Sequence, residues 1–149
     1  MRSHRILRPL SAVIVVSAAL ACSENTGPNA DVAATYDAIV LRLTEGTTVT
    51  DLLAEGADLS LELKEDGTTT GAFLVPGAYT ESGDDETIPL NGTYTYDAEA
   101  ETVTFNMVGD SFVRDVTWTV DGNQLRGTYD GGDYTLTAVL QVAPGISEG

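Results

Sequence analysis

The sequence predicts an all-β domain, a closed up-and-down barrel of eight antiparallel strands, with a two-sheet β-sandwich as the alternative. From Thr35 onward, apolar and polar residues alternate over short stretches, the pattern of strands with one face buried. Turn residues part those stretches at intervals of roughly 8 to 15 positions, the spacing of consecutive hairpins. A third observation favours the barrel. Gly71-Ala72-Phe73, Gly92-Thr93-Tyr94 and Gly127-Thr128-Tyr129 each place an aromatic two positions after a glycine, and Ala34-Thr35-Tyr36 is a degenerate version. Glycine lets a sheet bend sharply, and an aromatic on the same face covers the gap it leaves. Bent sheets with short sequential connections close, and closure removes the exposed edges of an open sheet.

In chain order, residues 1–21 come first and read as a secretory signal peptide. Arg2, Arg5 and Arg8 precede an apolar run from Leu10 to Ala21, broken only by Ser11 and Ser17. As a helix that run rises only about 18 Å, too short to cross a hydrocarbon core of ~30 Å. Ala19-Leu20-Ala21-Cys22 resembles the lipobox of bacterial lipoproteins. The resemblance covers about the first 22 residues and implies that Cys22, the only cysteine, becomes a diacylglyceryl-modified N-terminus after cleavage. Several acyl chains, at ~0.8 kcal/mol per buried methylene, would hold the protein on the membrane. Residues 22–32 then make up the lipid anchor and a flexible linker, polar and interrupted by Gly27 and Pro28.

The barrel domain is expected over residues 33–142, with 143–149 as a flexible tail. Strands are predicted at 35–43, 57–64, 68–75, 88–96, 102–107, 112–120, 124–129 and 133–141. The clearest sets Leu59, Leu61 and Leu63 on one face against Asp58, Ser60, Glu62 and Lys64 on the other. Asp66-Gly67, Asp121-Gly122 and Gly131-Gly132 supply tight-turn chemistry. Residues 47–56 are ambiguous: Thr48, Val49 and Thr50 favour a strand, while residues 51–55 suit one helical turn after a Thr50 cap, forming a lid over one end.

Charge narrows the partners. The chain has 149 residues, with 23 acidic and 7 basic side chains. Removing residues 1–21 deepens the formal net charge from −16 to −19, because three arginines and no acid are lost. Nucleic acid and anionic lipid headgroups are therefore excluded as partners, since both need clustered Lys and Arg. The chemistry is narrowed too. The only histidine is His4, so the cleaved chain has no Ser-His or Cys-His nucleophile pair and no zinc site built on His or Cys. Carboxylate pairs remain available, as in glycosidases, but chance proximity among 23 acids carries little information. Ser82-Gly83-Asp84-Asp85-Glu86 and Asp130-Gly131-Gly132-Asp133 lack the ligand spacing of an EF-type calcium loop and read as solvated turns. No catalysis and no cofactor are expected.

Tyr94-Thr95-Tyr96, the segment Trp118-Thr119-Val120-Asp121-Gly122-Asn123 and a first strand opening at Tyr36 resemble, in texture, the lipocalin-like small barrels of bacterial envelope lipoproteins. The resemblance spans about residues 33–142. A monomer that holds a small apolar or amphipathic ligand in its barrel is expected, and the lipoprotein resemblance implies the outer membrane, facing the periplasm, because Ser23 rather than Asp follows Cys22. The period of two directs Tyr94, Tyr96, Phe105, Trp118 and Tyr129 inward as candidate ligand contacts. By the same parity Arg114 joins Phe112, Val116 and Trp118, and Arg42 joins Tyr36, Ala38 and Val40, so either could bring a guanidinium to a cavity mouth. The alternative function is a protein-interaction or inhibitor module whose barrel is filled with side chains.

Overall fold

Leu59, Leu61 and Leu63 obey the period of two: in the computed structural model, which describes residues 29–144, all three are buried on one strand, Asp58–Leu63. That strand is β3 of ten. The others are β1 (Ala34–Glu45), β2 (Thr48–Asp51), β4 (Thr68–Val75), β5 (Glu86–Pro89), β6 (Gly92–Asp97), β7 (Thr102–Met107), β8 (Trp118–Asp121), β9 (Gln124–Asp130) and β10 (Thr135–Val142). Eight of them form a ring in the order β1, β3, β4, β6, β7, β8, β9, β10, with every pairing antiparallel and β10 closing on β1. This is the up-and-down barrel, not the sandwich. Two short strands extend it, β2 along the end of β1 and β5 along the second half of β4.

The two ends of the barrel differ. At one, residues 64–67, 98–101 and 122–123 make short hairpins. Val32, 1% exposed, plugs this end, and its carbonyl accepts a 2.8 Å bond from the buried Tyr36 hydroxyl. Asn29 donates from Nδ2 to the Glu65 carbonyl, and Tyr94 donates its hydroxyl to the Lys64 carbonyl. The packed domain thus takes in Asn29 to Val32, residues that composition alone assigned to the linker. At the other end lie the longer connections, 46–57, 76–91 and 108–117. Here the interior residues Leu43, Val75, Tyr129 and Leu136 are only partly buried. This end is the mouth.

Three expected features are corrected. Residues 88–96 are not one strand: Leu90, fully buried, turns a corner between β5 and β6. Its N–H donates to the Gly71 carbonyl, and its carbonyl accepts from the Thr69 hydroxyl. The corner follows β4, which bends at Gly71 (φ 153°), where a Cβ would lie 2.2 Å from the Ser60 carbonyl oxygen. Residues 112–120 are not one strand either. Phe112–Asp115 is a helical turn, α1, because Phe112 and Val113 are both buried, and a strand would send neighbours to opposite faces. Finally, the pairing of β1 with β10 skips Ile39, between Ala38 and Val40. This β-bulge reverses the parity beyond it: Leu41 points in, and Arg42, expected to point inward, is exposed. The ambiguous segment resolves into β2 followed by a turn, in which the Asp51 carboxylate, rather than Thr50, accepts from the N–H groups of Leu53 and Ala54. Among the described residues no helix is long and apolar enough to cross a membrane.

Candidate functional site

Below the mouth the interior is filled by rings. Trp118, at the start of β8, is 0% exposed and meets Phe105 edge-on with centroids 6.4 Å apart. Phe112 of α1 lies 6.1 Å from Trp118 on the mouth side, and Phe73 of β4 lies 5.5 Å from Phe112, again edge to face. The indole N–H donates 3.1 Å to the Val113 carbonyl, so Trp118 fixes the helical turn that stands above it. Gly127 makes room for the indole: a Cβ there would sit 2.8 Å from the ring and 2.7 Å from Val116.

Above this stack the mouth opens into a cleft with two lobes. One, of about 390 Å³, is bordered by Phe73, Ile88 and Phe112 on one side and by Tyr129, Tyr134 and Leu136 on the other. The second, of about 340 Å³, runs toward Leu43 and Leu52. Both share Phe73, Val75, Tyr79, Tyr134 and Leu136. Tyr79, in a short 3-10 helix at Gly77–Tyr79, is 39% exposed and overhangs the junction. Tyr129 and Tyr134 pack with their centroids 6.0 Å apart across the β9–β10 turn, and burial followed by the neighbouring Tyr129 raises the Tyr134 hydroxyl above its ordinary value. The rim is acidic. Glu45, Glu81, Glu86, Asp110 and Asp115 border the cleft, and Ser111 lies in its wall, 6% exposed, with an Oγ that has no hydrogen-bond partner among the described residues.

The cleft unites only part of the expected ligand set. Tyr129 lines it. Trp118 and Phe105 lie beneath it in closed packing. Tyr94 is buried at the plugged end, its hydroxyl pushed up to about 12 by burial first and then by Tyr36, Asp66 and Glu65. Tyr96, partly buried, sits near the same end on β6. Arg114 does not point inward, because α1 breaks the parity that placed it there. Its guanidinium binds Asp110 at 2.8 Å and Asp115 at 3.1 Å near the surface, and these carboxylates raise its pKa. Cys22 lies outside the described residues. Tyr79, Ser111 and Tyr134 were not among the expected ligand contacts, and Phe112 was turned inward only as part of a strand; all four lie in connections, where no strand period exists. For Tyr79 and Tyr134 the available signal was an aromatic beside polar turn residues.

Neither acidic loop gathers a metal set. Asp85 accepts 2.8 Å from the Gly77 N–H, and Asp130 accepts 2.9 Å from the Gly132 N–H, so each carboxylate closes its own loop. Among the described residues no group of three or more His, Cys, Asp or Glu is placed to hold a metal ion.

No family model matches the chain, and no curated protein matches it. Among solved structures it is similar to a protein of Shewanella oneidensis provisionally called a lipoprotein, with a TM-score of 0.42 and 17% sequence identity, over 72% of this chain and 89% of that one.

Proposed function

We propose that this protein is a non-catalytic, lipocalin-like binding protein of the cell envelope, lipid-anchored through Cys22, that holds a small apolar or amphipathic ligand in the mouth of its barrel. One observation carries the binding reading: a cleft of several hundred Å³, with aromatic rings at its floor and carboxylates at its rim, opens at one end of a closed barrel. Concave sites of this volume, lined by aromatics with a few polar groups, are where small molecules bind. The location differs from the sequence-based expectation, since the ligand would lie above Trp118 and not around it. The chain enters the domain at the plugged end, which supports a reading in which the mouth is turned from the bilayer toward the periplasm.

Native mass spectrometry of the protein released gently from its own envelope tests the binding reading. The expected result is a retained small mass that is lost in Tyr79→Ser; a bare domain in every preparation, with no small molecule able to shift Trp118 emission, would overturn it. Trp118 suits this purpose because it packs against Phe112, which lines the cleft. Anchoring is tested separately by detergent phase partition, with the wild type expected in the detergent phase and Cys22→Ala in the aqueous phase. An interaction module is the second reading, favoured by the filled interior around Trp118. It predicts co-purification of a basic protein and no small mass.

A further inference from the structure

We infer that the ligand of the mouth is a cationic amphiphile, an alkyl or aryl ammonium whose apolar body lies over Phe73 and Phe112 and whose charged head lies between the tyrosines and the acidic rim. This rests on the mouth being the binding site and adds the chemical class. Charge complementarity is the first support. Five carboxylates border the cleft, and the one guanidinium near them, that of Arg114, is already held by Asp110 and Asp115. Glu45, Glu81 and Glu86 form no ion pair among the described residues. The remaining basic side chains of the domain lie elsewhere: Arg42 is exposed on the outside, Lys64 is in a turn at the plugged end, and Arg126 pairs with Asp121 on the outer face.

A second support is independent of charge. Tyr79, Tyr129 and Tyr134 surround the cleft with ring surface, and an ammonium is attracted to the negative face of such rings. Ser111, in the wall of the same lobe, has a buried hydroxyl that can donate and accept and has no hydrogen-bond partner among the described residues, so it suits a polar head of either sign. A carboxylate or sulfate head would bring a charge the acidic rim repels, which leaves an ammonium as the charged head the cleft favours.

The test compares three eight-carbon probes, octylammonium, 1-octanol and octanoate, by calorimetric titration of the full chain. Octylammonium is expected to bind about ten-fold more tightly than 1-octanol at low salt, octanoate more weakly than either, and the gap should narrow as salt rises. The double variant Glu81→Gln/Glu86→Gln should weaken octylammonium several-fold more than it weakens 1-octanol, which narrows the gap between them. Both positions are exposed, so the fold should be kept, which circular dichroism checks. Equal binding of octylammonium and 1-octanol by the wild type, or a preference that the double variant leaves undiminished, would overturn the charge assignment. In that case 1-octanol binding that is lost in Tyr79→Ser keeps the mouth as the site. Failure of all three probes to bind removes both readings together.

Discussion

At Gly127 the indole of Trp118 occupies the space a side chain would need. Gly127→Ala puts a methyl 2.7 to 2.8 Å from Val116 and the ring. It is expected to cost about 1–3 kcal/mol, read as a lower urea midpoint at unchanged slope. Tyr94 makes a different prediction. Its hydroxyl holds its proton up to about 12 in the folded barrel, against an ordinary value of 10.0. The native state therefore keeps this proton at pH values where the unfolded chain has lost it. The stabilisation is complete below about pH 10 and is lost as the pH climbs toward about 12. Tyr94→Phe should be less stable than wild type by about 1 kcal/mol at neutral pH, and the difference should close across that alkaline window. A gap independent of pH would show that burial does not hold the Tyr94 proton in the folded barrel. At this scale the sequence was a good guide to direction and a poor one to surroundings. Val116 and Val120, at two-residue spacing, correctly turned Trp118 inward, but nothing in that spacing says whether a neighbouring ring or empty space meets it.

Elements were legible where one period runs uninterrupted. Residues 68–75 and 102–107 form strands at the boundaries the alternation marks. The misread segments share a physical cause, a local event that resets the period: the bulge at Ile39, the corner at Leu90 and the helical turn at Phe112. Each is decided by contacts with a distant strand. Leu90 is held by Gly71 and Thr69, some twenty positions earlier in the chain. Leu90→Ala would empty the inside of that corner, and a loss of about 2–5 kcal/mol is expected in chemical unfolding. A cost below about 1 kcal/mol would mean the corner collapses onto the gap and that the two bonds, not the side chain, hold β5 against β4. The cleft was illegible for the same reason. Its walls come from β1, β4, β9 and β10 together with four connections, and it exists only once the ring has closed.

The closure itself is a property of the whole chain. Tyr36 is paired with Val142 and Thr44 with Thr135, so the first strand of the barrel is sealed by the last. A chain ended after Asp130 would lose β10 and leave both β1 and β9 with unpaired edges. It is expected to show no cooperative unfolding transition and to associate through those edges, as sedimentation would reveal. A monomeric truncated chain with a sharp transition would mean that seven strands suffice. The seam also governs timing. Joining residues about a hundred positions apart demands a large loop-closure entropy before the contacts that reward it can form, which places such barrels among the slower folders, on the scale of milliseconds to seconds. A chain leaving the ribosome or a translocation channel N-terminus first cannot complete its barrel until Thr135–Val142 has emerged. The barrel is therefore committed to closing only after its last strand has emerged, and its mouth does not exist until that moment.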